Sequence, residues 1–140
     1  MINGDIAYHK VWKQTQLVFQ ENDQQAEWGY WYWATDKTTK LTYQSGQDIV
    51  VRGNFESNGT LPDTQDTDYR AIEDNFPVFG FAIDLGSVGK QPVETLFSLG
   101  LTQELAIQFD GEGGTIQQVP SLWNSYFSTE LDAVRFNATI

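Results

Sequence analysis

Residues 26–35, AEWGYWYWAT, restrict what this chain can fold into more than any other stretch. They hold three of its five tryptophans, Trp28, Trp31 and Trp33, with Tyr30 and Tyr32 among them. On a helix these rings would point all round the axis and leave no polar face. On a strand they separate with a period of two, Trp28, Tyr30 and Tyr32 to one side and Gly29, Trp31 and Trp33 to the other. Aromatic residues favour strands, and large rings on both faces predict an inner strand with a layer packed on each side. Two uses for the indoles follow. They fill a core, or Trp28, Trp31 and Trp33 offer flat apolar faces on which the rings of a glycan stack.

The flanking sequence extends the β reading. Ile6, Tyr8 and Trp12 alternate with Ala7, His9 and Val11, predicting a strand over residues 5–12, and Leu17 and Phe19 mark another near 15–20. Residues 21–25 are a polar connector of hairpin length. Leu41, Thr42 and Tyr43 form a short strand. Residues 48–55, DIVVRGNF, alternate as a strand with Ile49, Val51, Gly53 and Phe55 on one face, ending in an Asn-Gly turn at 56–60. Residues 61–75 have no period and form a long loop of the kind that often carries function. Strict alternation resumes over 77–85, and further strands are expected at 93–101 and 106–109. After Pro120 the apolar residues Leu122, Trp123, Tyr126, Phe127, Leu131 and Val134 recur at three and four, the period of an amphipathic helix. Thr129 and Asp132 resemble a second helix start, so a break near Ser128 is expected. The reading is mainly β: residues 1–140 form one antiparallel β-sandwich of about seven or eight strands, with a C-terminal helix over 120–138.

Charge and composition narrow the function classes. The net charge is −11 with eight Lys and Arg, so nucleic acid and anionic membranes are poor partners, because both need clustered cations. There is no cysteine, which excludes disulfides and thiolate metal sites. The single histidine, His9, has no G-x-S-x-G or other nucleophile motif to serve, and one histidine without cysteine does not make a zinc site. Asp63, Asp66, Asp68, Glu73 and Asp74 crowd the long loop. They lack the order and central glycine of a calcium loop and read as a solvated acidic segment. Asp84 precedes Gly86 as a turn acceptor; pairing it with Glu94 or Asp110 as glycosidase carboxylates needs a separation that sequence does not supply. No Gly-rich phosphate fingerprint is present, and no metal or cofactor is expected. Asn58-Gly59-Thr60 and Asn137-Ala138-Thr139 are sequons that accept glycans in a secreted chain.

Longer stretches carry a resemblance. YHKVWKQTQLVFQEN, QAEWGYWYWATD, LTYQSGQDIVVRGNF, DTDYRAIEDNFPVFGFAIDL, LFSLGLTQELAIQFDG and LWNSYFSTELDAVRF together resemble the N-terminal, non-catalytic region of the fungal secreted glutaminase A family. The resemblance covers nearly all of residues 6–136. It implies a secreted, glycosylated fungal protein in which a β-sandwich precedes a helical catalytic domain that hydrolyses L-glutamine to glutamate and ammonia. It also implies that sandwich strands lie upstream of residue 1 and that the catalytic domain follows Ile140, both outside this chain. No catalytic residue of the family matches a position here.

On this reading the chain is a structural, accessory domain that is not catalytic alone. Its C-terminal helix leads towards the absent domain, with Trp123, Tyr126 and Phe127 as docking residues. A free-standing carbohydrate-binding protein using residues 28–33 is the alternative, and a small hydrolase using acidic residues is a third. A sandwich without its upstream strands exposes an edge and an apolar face, so self-association to a dimer is expected.

Overall fold

The computed structural model describes residues 1–23 and 25–138, the last three of them by backbone alone. In chain order the strands are β1 (Ile2–Asn3), β2 (Ile6–Val11), β3 (Glu21–Asn22), β4 (Gln25–Ala26), β5 (Tyr30–Asp36), β6 (Leu41–Gln47), β7 (Pro77–Ile83), β8 (Phe97–Thr102), β9 (Leu105–Asp110) and β10 (Ile116–Pro120). The helices are α1 (Asp48–Asn58) and α2 (Glu130–Ala138). Every pairing between these strands is antiparallel. The chain is mainly β with a helix near its C-terminus, as its periodicities predict.

Two compact units form: Lys37–Thr95 together with Met1, and the flanking segments from Ile2 to Asp36 and from Leu96 onward. The flanking segments build a four-stranded sheet in the order β1-β2-β5-β8. The aromatic strand β5 is an inner strand: Ala34 lies opposite Tyr8 and Tyr32 opposite Lys10 on one side, and Tyr30 lies opposite Thr102 on the other. Its tyrosine face is core. Ile6, Tyr32 and Ala34 bury against Val134 of α2, with Tyr8, Tyr30 and Leu131 around them. The layer over this face is therefore a helix. The antiparallel hairpin of β9 and β10 belongs to the same unit and exposes Ile107, Phe109, Ile116 and Val119.

In the other unit β6 and β7 pair from Leu41 opposite Ile83 to Gln47 opposite Pro77. Val51 of α1, Leu61 and Ala82 form its core. Between α1 and β7 lies an apolar cleft of about 230 Å³ lined by Val51, Phe55, Leu61, Val78, Phe79 and Phe81, with Asp48 and Arg52 also at its wall.

Four local expectations are corrected. The alternating segment 48–55 is α1, not a strand. Its true pattern is Asp48, Val51, Arg52 and Phe55, one helical face at i, i+3, i+4 and i+7, with Asp48 and Arg52 ion-paired one turn apart. The β-branched run at 49–51 suggests a strand, but Ile49 is 79% exposed. Gly59, at φ 67°, ends the helix by donating its N–H to the Phe55 carbonyl at 2.8 Å, the left-handed cap that glycine makes without strain. Residues 15–20 are a turn, closed by the Gln20 N–H on the Leu17 carbonyl at 3.0 Å. The helix expected over 120–138 is broken: Pro120 ends β10, Leu122–Ser125 is one 3₁₀ turn, and α2 begins only at Glu130.

Trp28 is the fourth correction, because it does not continue the tyrosine face. Strand β5 starts at Tyr30, and Gly29 before it has φ 100°. A Cβ at Gly29 would stand 2.6 Å from the Thr102 carbonyl oxygen. Gly29→Ala therefore combines left-handed strain with a backbone clash, and its expected cost is about 1–3 kcal/mol. Urea unfolding followed by tryptophan fluorescence measures it, and a variant as stable as the parent would show that the turn has another way to close.

Candidate functional site

The register of β2 on β5 sets Lys10 and Tyr32 side by side on the helix-facing side of the sheet. There the Lys10 ammonium lies 2.5 Å from a Glu130 carboxylate oxygen. It also sits 3.6 Å from the centre of the Tyr30 ring, 5.2 Å from that of Tyr32 and 5.7 Å from that of Trp12. A cation over aromatic faces is attracted by their negative quadrupoles. The other Glu130 oxygen accepts the Thr102 hydroxyl at 2.8 Å. Glu130 occupies the first turn of α2, where the helix dipole favours a carboxylate. The Thr129 hydroxyl caps that turn: it accepts the Asp132 N–H at 3.2 Å and donates to the Asp132 carboxylate at 2.7 Å. Arg135, one turn further on, pairs with Asp5 at 3.0 Å and donates to the Asn3 side chain at 3.0 Å.

The protonation states in this box follow from its contacts. Burial pushes the Glu130 carboxyl up, but hydrogen bonds from Lys10, Tyr32 and Thr102 outweigh it and hold the group below its ordinary value. Burial, then the hydrogen bond to Glu130, raises the Tyr32 phenol well above its ordinary value. Burial and the Glu130 charge raise Tyr8 as well. At neutral pH the carboxylate is an ionised acceptor and the phenol a protonated donor. General acid–base work needs a group poised near ambient pH. These groups are driven away from it, and their geometry clamps α2 onto the sheet.

The three candidate indoles lie in three environments. Trp28 is half-buried; its indole N–H donates to the Leu105 carbonyl at 2.9 Å and its ring meets Phe19 edge-on at 5.8 Å. Trp33 is held between His9, stacked at 6.3 Å, and Phe97, at 5.4 Å. Trp31 alone of the three presents an open ring, 49% exposed, in a row with Val11 and Leu101 on the neighbouring strands. The sole histidine, His9, is buried.

At the C-terminal end, Trp123 donates its indole N–H to the Gln103 carbonyl at 3.0 Å and so is tied into its own fold. Tyr126 is 74% exposed and Phe127 is half-buried. Asn58 lies exposed in the last turn of α1, its amide donating to the Asn54 carbonyl at 3.0 Å. The side chain of Asn137 lies outside the described residues. Asp84 is exposed and holds its turn, accepting the Gly86 N–H at 2.7 Å, which with Lys40 nearby lowers its carboxyl. In the long loop the Arg70 side chain, itself buried, pairs with Asp66 at 2.6 Å and with Asp68 at 3.8 Å, while Asp63 accepts the Tyr43 N–H at 3.0 Å. Among the described residues no group of three or more acids or histidines converges as a metal site.

Lys10, Thr102 and Glu130 have no signal in the sequence. Lys10 and Glu130 are 120 positions apart, and neither stands in a motif.

With this geometry in hand, comparison places the chain in a family: residues 1–139 match the domain of unknown function DUF5127, and the chain belongs to that family. It is similar to one part of glutaminase A of Aspergillus oryzae, 58% identical over 133 residues that cover 94% of this chain and 19% of that protein. It is also 28% identical over 143 residues to a probable glutaminase of Arthroderma benhamiae, covering 96% of this chain and 16% of that one. The chain thus spans less than a fifth of the length of these curated relatives. No solved structure matches it.

The clamp makes stability depend on pH. Because the folded Glu130 carboxyl is lowered, its contribution is complete above the ordinary value of 4.5 and is lost as pH falls below it. Because Tyr32 and Tyr8 are raised, theirs is complete below the ordinary phenol value of 10.0 and is lost as pH rises beyond it. Thermal unfolding across the pH range is expected to show both limbs. Glu130→Gln should make the acid limb shallower and cost about 1.5–3 kcal/mol at neutral pH, the worth of a hydrogen-bonded charge. An acid limb identical in the variant would remove Glu130 from this role.

Proposed function

We propose that this chain is a structural, accessory region of a glutaminase-like protein and does not hydrolyse L-glutamine by itself. The observation that carries the reading is the 58% identity to a region making up only 19% of glutaminase A. The chemistry of the chain supports it. Amide hydrolysis needs an activated nucleophile or water and donors for the oxyanion. His9 is buried in the sheet, Lys10, Tyr32, Thr102 and Glu130 are engaged with one another, and the shifts of Tyr32 and Glu130 leave those two unsuited to moving a proton near neutral pH. What these residues do is position α2. The purified chain is expected to release no ammonia from L-glutamine above the buffer rate. A sustained rate that Glu130→Gln abolishes would make the clamp an active site and the chain an enzyme.

A second reading, weak binding of glycans, is favoured by the open ring of Trp31. Its neighbours in the row are the aliphatic Val11 and Leu101. They offer no partner to sugar hydroxyls, whereas a small-molecule site sets a few polar groups among its apolar ones. Binding on a glycan array that Trp31→Ala abolishes would establish this reading. Trp31→Ala itself should cost clearly less than the roughly 3–5 kcal/mol of a fully buried tryptophan, as chemical denaturation would show.

A further inference from the structure

An antiparallel sheet with one wet face normally carries polar residues there. On the face of the four-stranded sheet opposite α2, the polar residues His9 and Thr35 are buried with Ala7 at one end, and the exposed end is apolar. Val11, Trp31 and Leu101 cross it in one row and Leu99 stands beside them on β8. All four are exposed, Leu99 by 69%. The row ends on β8, the last strand in the sheet order.

We propose that this face docks onto the remaining part of a longer glutaminase-like polypeptide, through apolar residues that lie outside the DUF5127 region. The proposal rests on the accessory reading above. Length argues for this occupant. The chain matches 19% and 16% of its two relatives, so most of such a polypeptide lies outside the region and is available to cover the row. Chemistry argues for an apolar surface. The four side chains hold one polar hydrogen, the indole N–H, so a charged or hydroxyl-rich partner would lose its water without compensation. A second copy is the weaker occupant. Each copy brings a charge of −11, and like charge opposes their meeting, while a covalently joined partner acts at high effective concentration.

The chain has no cysteine, so Leu99→Cys installs a single thiol on the face. Its maleimide labelling, read at that peptide by mass spectrometry, is compared in two molecules: this chain alone, and a chimera in which it replaces the matching region of Aspergillus oryzae glutaminase A. Labelling in the chimera is expected to be slower by at least about tenfold, the ratio that a contact of about 1.4 kcal/mol sustains. Ile49→Cys, on α1, should label equally in both. Equal rates at position 99 overturn the proposal, as does equal slowing at position 49. Slow labelling of the isolated chain, with a dimer in light scattering, also overturns it and gives the face to a second copy. Hydroxyl-radical footprinting of Trp31 and Leu101 makes the same comparison without any thiol variant. The accessory reading fails separately, when the isolated chain hydrolyses glutamine, whatever the labelling shows.

Discussion

The ion pair between Lys10 and Glu130 joins the two ends of the chain, and the arrangement of the sheet depends on it. The residues are 120 positions apart, so closing this contact costs chain entropy. That cost grows only as the logarithm of the loop length. What offsets it is cooperative. The Lys10 ammonium lies over Tyr30, the Thr102 hydroxyl satisfies the second carboxylate oxygen, and Val134 brings apolar burial against Ile6, Tyr32 and Ala34. An isolated partly buried pair barely repays its desolvation. Here Thr102 and Tyr32 also donate to the carboxylate and the ammonium lies over Tyr30, and Arg135 repeats the attachment one turn along.

Because α2 covers the tyrosine face, the two sides of one strand meet different worlds. Tyr32 and Ala34 are buried, and Trp31, between Tyr30 and Tyr32, is half exposed. The period of two assigns residues to faces but does not say which face is covered. That is decided at Glu130 and Val134, on the far side of the sequence. The same asymmetry separates the two uses imagined for the indoles. Trp33 packs with His9 and Phe97, Trp28 is committed to Leu105, and Trp31 keeps half its surface open.

How much of this was legible varies with the range of the forces involved. The strand character of β5, the alternation of β7, the turn role of Asp84 and the helix start at Thr129 are local and were readable from side-chain period and hydrogen-bonding chemistry. So was the mainly β class. The segment 48–55 was misread because two periods coexist in it, and the β-branched residues favour the wrong one. The decisive terms were the Asp48–Arg52 pair, the Gly59 cap and the burial of Val51 against Leu61 and Ala82. Gly29 was visible as a glycine, but its reason is the Thr102 carbonyl on another strand. The clamp was not legible at all, since its members meet only once the sheet has formed. The resemblance to the glutaminase family came from whole stretches of sequence, independent of any of these contacts.

The connectivity explains how a second unit coexists with this sheet. Strands β5 and β8 are neighbours, yet Lys37–Thr95 lies between them in the chain. The chain leaves after Asp36 and rejoins at Leu96, whose carbonyl accepts the Thr35 hydroxyl at 2.6 Å. With departure and return held together by that bond, an inserted segment costs the sheet little, because long insertions between close ends are tolerated. The insertion must then supply its own core, and a unit of this size buries a modest fraction of its surface. It relies on Val51, Leu61 and Ala82, and on a loop gathered around buried Arg70. One nitrogen of that guanidinium is buried without a hydrogen-bond partner among the described residues, a cost of about 1–3 kcal/mol. Among the described residues the sheet, clamped from both ends of the chain, has no buried side-chain nitrogen or oxygen left without a partner. The better-satisfied half of the molecule is therefore the one that presents the open apolar row, and a docking surface gains from being held rigid before its partner arrives.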